Sequence, residues 1–451
     1  MSEFHREEHI DAAILQHHLS RRAAENFEYR DVWGPREKSM ANPWSPENPD
    51  GTIILRLAEN SLLHDEMGQL IKEQITVLPL SHLTYSTGPR GSRRLRRAAA
   101  AFLNEEFHSR QTITQDNIFI TPGLASAIDA LTWAICNDGD GILIPQPYYN
   151  GFDFDVLNRS NGRVIGVKYE GVEGFSGLDD LFRPDVNKRA LEVALREAKK
   201  NGITIRALII SNPHNPLGRC YPPETLLEFA AFCGRNKLHF ISDEIYAKSV
   251  FPNTAMPSPT PFVSALSLDL RDVIDPTLMH VLYGASKDFC ANGLRLGVVC
   301  TINEGLIGAM SSISMFSWSP HVLQDRIIIS QRPSSGSAGL ATTRCEFRCV
   351  NAGLFIWVDL RHLLIPKSLR QQTDYSELRT ASPEASMYRQ REQKFADICA
   401  QNGLMITPGS VYAAEEFGWF RLTFTVGKNA LEEGLKRLEK SLSTAETDMQ
   451  F

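Results

Sequence analysis

Between residues 117 and 288 the chain repeats one pattern. A short apolar run ends in a polar or glycine-containing break, and a longer segment follows with apolar residues at helical spacing. The runs "NIFIT", "GILIP", "GRVIGVKY", "IRALIIS", "LHFIS" and "LMHVLYG" predict strands. Most are continuously apolar rather than alternating, as expected of strands covered on both faces. The segments "LASAIDALTWAIC", "RPDVNKRALEVALREAKKNG" and "PPETLLEFAAFCGRNK" predict helices, the second stopped by glycine and the third opened by prolines. A further helix with a basic face, "SRRLRRAAAAFLNEEF", precedes them. Strands alternating with helices predict an α/β fold around a mainly parallel sheet.

The ends of the chain read differently. Residues 10–30 alternate apolar and charged groups at helical spacing and predict an N-terminal helix or arm. Residues 31–52, rich in Pro, Gly and Asn, predict a long irregular connection. "IILRLAEN" predicts a short strand running into a turn, and "LLHDEMGQLIKEQITVL" a helix. From 351 onward the strands "NAGLFIWVDLRHLL" and "WFRLTFTV" and the helices "MYRQREQKFADICAQNG" and "ALEEGLKRLEKSLS" predict a smaller α+β domain. The expected division is an arm contributing to the small domain (1–60), a large domain (61–325), an irregular connection (326–350) and the C-terminal small domain (351–451).

Composition narrows the partners. With 451 residues, 43% apolar and 22% charged, the chain suits a soluble globular protein of two or three domains. A net charge of −6 does not favour nucleic acid or an anionic membrane. No run of about 18 apolar residues predicts a membrane span. The N-terminus is acidic early and lacks an apolar secretory core. Eight scattered cysteines without a CxxC favour reduced thiols and a cytoplasmic location. Cys345 and Cys349 form a lone CxxxC, which is not expected to hold a metal.

In open α/β sheets, ligands gather at the carboxyl ends of the strands. There the chain places Gly123, Leu124, Ala125 and Ser126, opening a helix; then Tyr148 and Tyr149; then Asn212 to Gly218; then Asp243 to Tyr246; then Lys287. Singly, each has a plain structural reading. Asn-Pro segments make turns, an aspartate caps a helix, and tyrosines fill cores. Together, five successive strand ends share one chemistry, that of pyridoxal 5'-phosphate (PLP). A lysine forms a Schiff base with its aldehyde, a carboxylate holds its ring nitrogen protonated, an aromatic ring stacks on it, and a helix N-terminus with an arginine neutralises its phosphate.

On these residues the chain resembles the fold type I, aspartate aminotransferase-like PLP enzymes of class I/II, and most closely the 1-aminocyclopropane-1-carboxylate (ACC) synthase-like branch. The motifs are "LRLAENSL" for GLAENQL, "PYYNGFDFD" for PYYPGFDRD, "NPHNPLG" for NPSNPLG, "SDEIY", "SKDFCANGLRLG" for SKD followed by GLPGFRVG, "NAGLFIWVDLRHLL" for NAGLFCWMNLRHLL, and "WFRLTF". The resemblance runs from about residue 42 to 440. It implies a mainly parallel seven-stranded sheet in a large domain beside a smaller α+β domain. It also implies Lys287 as the Schiff-base lysine and mover of the Cα proton, and Asp243 as partner of the pyridinium. Tyr149 would stack on the ring, Asn215 and Tyr246 would bond its hydroxyl, and Arg295 with the amides of Leu124 and Ala125 would hold the phosphate. Tyr85 would reach the partner subunit's phosphate, which implies a homodimer. Arg421 would grip the substrate carboxylate, and Glu59 would lie near its amino group.

Three departures stand out. Ala125 replaces a Ser or Thr, and Gly284 a Ser, that would donate to the phosphate, leaving Ser126 and Ser286 as hydroxyls able to replace them. At about 1 kcal/mol or more per bond to a charged group, the loss amounts to more than about tenfold in cofactor affinity. Between 330 and 349 the chain is Ser-, Gly- and Arg-rich where the family has a long connecting helix. Either that helix is lost or the sequence carries a misread exon.

The resemblance implies a PLP-dependent enzyme acting on an α-amino acid. One quinonoid serves transamination, loss of a β-substituent and loss of a γ-sulfonium with ring closure, so transaminase and Cβ/Cγ–S lyase outcomes stay open. The alternative is a catalytically impaired protein of the same fold with a binding or regulatory role. A dinucleotide-dependent dehydrogenase is disfavoured because no GxGxxG turn follows the early strands.

Overall fold

The computed structural model describes residues 40–74, 88–315 (except 255 and 257), 317, 350–365 and 378–448, with parts of 10–24 and residue 37. Tyr85, Cys345, Cys349, residues 1–9 and 25–36 of the N-terminal arm and all of the 326–350 connection except Val350 lie outside the described residues.

The elements run in the order β1 (Ile53–Ile54), α1 (His64–Gln74), α2 (Arg93–Glu106), β2 (Ile118–Thr121), α3 (Leu124–Ile135), β3 (Gly141–Pro145), α4 (Gly151–Leu157), β4 (Arg163–Val167), α5 (Pro184–Lys200), β5 (Ile205–Ser211), α6 (Pro223–Asn236), β6 (His239–Asp243), β7 (Met279–Gly284), β8 (Gly297–Cys300), α7 (Glu304–Ser314), β9 (Phe355–Asp359), α8 (Ala385–Gln401), β10 (Leu404–Met405), β11 (Thr407–Pro408), β12 (Trp419–Thr423) and α9 (Lys428–Asp448). Seven strands form the large sheet in the order β2-β8-β7-β6-β5-β3-β4. All run parallel except β8, which is antiparallel to both β2 and β7.

Burial on both faces explains the apolar runs. Ile142, Ile144, Ile209, Ile241 and Leu282 face a core shared with α3, α4 and α7. Their neighbours Leu143, Leu208, Ile210, Phe240 and Val281 face the opposite core, shared with α2, α5 and α6. With side chains alternating across the sheet and both sides covered, most positions on both faces are apolar. The registers Ser211 to Asp243 and Asp243 to Leu282 bring the carboxyl ends of β5, β6 and β7 almost level. The residues that follow these strands therefore share one rim.

The second domain holds the three-stranded sheet β11-β12-β9 and the parallel pair β1-β10, with α8 and α9 packed against them. Helix α9 extends past the "ALEEGLKRLEKSLS" expected from sequence, because Leu431, Leu435, Leu438, Leu442 and Ala445 continue one apolar seam. The short strand expected at the start of "IILRLAEN" is Ile53–Ile54, and the chain bends after Leu55, as expected. Several hydrogen bonds join the domains close to that rim, three of them at Tyr412 and Glu415. Tyr148 N donates to Tyr412 O (2.9 Å), and the Glu415 carboxylate accepts from the N–H groups of Tyr169 (2.8 Å) and Glu170 (3.2 Å).

Among the described residues no helix is long and apolar enough to cross a membrane, and no group of three His, Cys, Asp or Glu side chains is placed to hold a metal. Six described cysteines, Cys136, Cys220, Cys233, Cys290, Cys300 and Cys399, are free.

Candidate active site

One end of the site is built where β2 turns into α3. Gly123 has φ +87, a conformation that favours glycine, and no side chain caps the helix. The first-turn amides of Leu124 and Ala125 are left for another acceptor. The Arg295 guanidinium lies against this turn, donating from Nη2 to Pro122 O (3.2 Å) and from Nη1 to Asn292 O (2.7 Å). A Cβ at Gly123 would run into that guanidinium. An arginine beside the positive end of a helix dipole is an arrangement that needs an anion, and a phosphate supplies one.

Of the two hydroxyls that could replace missing donors, Ser126 turns back on its own helix, donating to Pro122 O at 3.4 Å. Ser286 is half-buried in the turn before Lys287. The structure also explains Gly284. A Cβ there would come within 2.5 Å of Leu296 O and 2.9 Å of Leu124 Cδ1. Gly284→Ser is therefore expected to destabilise the fold by about 1–3 kcal/mol through overpacking, without tightening the cofactor. Denaturant melts and cofactor titration check both halves of that result.

The centre of the site is Lys287. Its Nζ donates to Ala58 O at 2.5 Å, and its own carbonyl accepts from Asn60 Nδ2 at 3.3 Å. Burial pulls the amine down to about 8, aided by the positive charge of Arg421, while Glu59 and Asp243 pull the other way. Asp243 is buried at the end of β6, with Ile245 N donating to its Oδ1 at 3.2 Å. Burial pushes its carboxyl up to about 7, against the backbone bond and the nearby Lys287 charge. Tyr246, three residues on, is buried edge-to-face against Phe355 (5.3 Å). Burial raises its hydroxyl pKa, and Arg421, Tyr149, Asp243 and Tyr412 all lie within electrostatic reach. Tyr149 follows β3, with its ring edge-to-face on Phe152 at 5.5 Å.

Arg421 comes from β12 of the second domain and is 3% exposed. Its Nη1 donates to Asn215 Oδ1 (3.1 Å) and its Nη2 to Arg56 O (2.7 Å). Its guanidinium carbon lies 5.0 Å from the centre of the Phe355 ring and 4.7 Å from that of Tyr412. Nε is buried without a hydrogen-bond partner. A carboxylate reaching Nε and the second Nη2 hydrogen would satisfy that orphan in a two-pronged bond.

The structure thus brings together Lys287, Asp243, Tyr246, Tyr149, Asn215, Arg421 and Glu59, with Arg295, Leu124 and Ala125 at the far end. Sequence reasoning missed Ala58, Asn60, Phe355 and Tyr412. Asn60 stands in the same "LAEN" that pointed to Glu59. Thr425 Oγ1 holds that segment from the second domain by donating to Glu59 O at 2.6 Å.

An anion-demanding helix start, a half-buried lysine and a buried carboxylate on the rim of such a sheet are the groups expected of the fold type I PLP-dependent family. The chain belongs to the aminotransferase class I and II family, whose model matches residues 52–331. It is 32% identical over 410 residues to the probable aminotransferase aclI of Aspergillus oryzae, covering 86% of this chain and 90% of that protein. It is 28% identical over 462 residues to 1-aminocyclopropane-1-carboxylate synthase 8 of Arabidopsis thaliana (94% and 90%). It is 32% identical over 439 residues to a mouse protein named probable inactive 1-aminocyclopropane-1-carboxylate synthase-like protein 2 (92% and 70%). Among solved structures, the aspartate aminotransferase of Thermus thermophilus with maleate shares the fold, with TM-score 0.64 and 19% identity over 94% of this chain and 99% of that one. The cofactor of this family is PLP, and the anion-demanding turn at Gly123 and the buried Asp243 carboxylate fit its phosphate and its ring nitrogen.

Proposed function

We propose that this chain is a PLP-dependent enzyme that acts on an α-amino acid, with Lys287 as the residue that tethers the cofactor. The observation that carries this reading is the half-buried Lys287 amine, within electrostatic reach of Asp243, Glu59, Arg421 and Arg295. When bound, PLP supplies an electron sink for the carbanion left at Cα. Arg295 and the amides of Leu124 and Ala125 hold its phosphate. Asp243 keeps its ring nitrogen protonated, Asn215 and Tyr246 bond its hydroxyl, and Tyr149 covers its face.

Arg421 fixes the substrate carboxylate, and its own position is set by Asn215 Oδ1, Arg56 O and two rings. Glu59 lies on the amino side. The neutral form of Lys287 removes the Cα proton, and where that proton returns decides the product. Relatives named aminotransferases and relatives named ACC synthases support transamination and carbon–sulfur elimination respectively.

Incubating the PLP-loaded protein with single amino acids separates the outcomes. Oxoacid formed only with a 2-oxoacid acceptor marks a transaminase. Oxoacid and ammonia in equal amounts without an acceptor mark a lyase. No product from any amino acid, with no Lys287-dependent visible band, leaves the impaired, binding or regulatory reading standing.

The resemblance that assigns Tyr85 to the partner's phosphate supports a homodimer. Active enzyme is expected at twice the chain mass of 50.5 kDa. Activity at the monomer mass in sedimentation would reject the dimer.

A further inference from the structure

Lys287 is followed directly by a carboxylate, Asp288, that the chemistry above does not use. It is enclosed by three donors. Ser249 Oγ donates to Oδ1 at 2.5 Å, while Lys248 N and the Tyr283 hydroxyl donate to Oδ2, each at 2.9 Å. The donors come from two elements. Tyr283, on β7, is wedged among Phe102 (5.4 Å), Phe107 (4.9 Å) and Phe289 (6.2 Å), which anchors it in the core. Lys248 and Ser249 belong to the turn after β6, where Ser249 N donates to Tyr246 O at 2.9 Å. A chain of two hydrogen bonds therefore runs from Asp288 through Ser249 to the backbone of Tyr246.

We propose that Asp288 is a positioning residue that sets the separation between the Lys287 amine and the Tyr246 hydroxyl by tying the turn after β6 to the turn after β7. The proposal rests on the reading of Lys287 as the cofactor-bearing lysine. The geometry gives it a reason. Lys287 and Tyr246 each stand three residues past the end of neighbouring strands, β7 and β6, and must address adjacent substituents of one ring, the aldehyde and the hydroxyl. A misplacement of about 1 Å at such a site costs on the order of 10²-fold in rate. Three charge-assisted bonds from two elements are a means of preventing it.

The test compares Asp288→Asn, Ser249→Ala and Tyr283→Phe with the wild type, each loaded with PLP. The asparagine keeps the shape, but its NH₂ must face a donor, so at least one donor loses its acceptor. The readout is the pH at which the visible band of the lysine-bound cofactor changes form. Asp288→Asn and Ser249→Ala are each expected to move it by about one unit. That corresponds to about 1.4 kcal/mol, the scale of one hydrogen bond to a charged group. Both are expected to lower kcat about tenfold or more, with KM for the amino acid nearly unchanged. Tyr283→Phe, which leaves the Ser249 link to Tyr246 in place, is expected to lower the melting temperature and leave the band unmoved.

Equal behaviour of Ser249→Ala and Tyr283→Phe, with the melting temperature lowered and the band unmoved, would overturn the positioning role and leave Asp288 a structural tether. If Asp288→Asn does not fold, the contrast between the other two variants still decides. A wild type without a Lys287-dependent band would reject the reading of the lysine, and with it the positioning role. A band that Ser249→Ala leaves unmoved rejects the positioning role alone.

Discussion

Lys287→Ala is expected to remove the visible band of the PLP-loaded protein and to lower amino acid turnover by at least about 10³-fold. Two losses combine. A positioned general base contributes about 10²–10⁴-fold, and the covalent tether disappears with it. The environment explains why this amine suits the task. Burial, with the Arg421 charge, brings it down to about 8. At pH 7.5 about a quarter of such amines are neutral, against about one in a thousand for an ordinary lysine. Cofactor capture by the wild type should therefore speed up with pH and level off above about 8.

The sign of the accompanying stability effect follows by linkage. The folded pKa lies below the unfolded one, so the buried amine costs stability below about 8, and the cost fades as pH rises toward the unfolded value. The alanine variant should then fold at least as stably at pH 7 while losing its chemistry. Urea melts and the visible spectrum read the two halves separately. Turnover within tenfold of wild type would remove Lys287 from its role.

Much of this site was legible because each strand end offers one residue of distinct chemistry. Asp243, Asn215 and Lys287 each close a buried apolar run, and the sheet does the rest by bringing the ends level. What sequence did not reveal is of two kinds. Some elements are too short to carry a period. The four-residue β8 (Gly297–Cys300), which separates β2 from β7 in the sheet, and the two-residue strands β1, β10 and β11 owe their existence to partners far along the chain. Other contributions come from atoms that a sequence does not mark. The Ala58 carbonyl that receives Lys287 is backbone. The Phe355 ring comes beside Arg421 through the pairing of β9 with β12, and the Tyr412 ring through the turn Gly409–Tyr412, and neither contact has a local sequence signal. Gly284, which from sequence looked like a lost phosphate donor, proves to be a packing requirement.

Asp243→Asn is expected to push stability and activity in opposite directions. In the structure the Asp243 carboxyl is buried, and burial moves it up to about 7 despite the Ile245 amide and the nearby Lys287. A folded pKa raised above the unfolded one means that the protonated acid fits best. Its contribution is full below the unfolded value near 3.8 and is lost as pH rises through about 7. At pH 8 the apoprotein carries that cost, on the order of 4 kcal/mol for a shift of this size. Asparagine, of the same shape and without charge, should raise the apoprotein's urea midpoint at pH 8 and change it little at pH 4. The same substitution takes away the carboxylate that would keep the cofactor's ring nitrogen protonated. Breaking a buried ion pair from one side costs about 3–5 kcal/mol, which corresponds to a drop of about 10²–10³-fold or more in kcat/KM. A midpoint that rises with activity retained would mean that Asp243 is a burdened core residue and no partner of the ring. A midpoint that rises while activity collapses is what a carboxylate kept for its chemistry, at the expense of stability, must show.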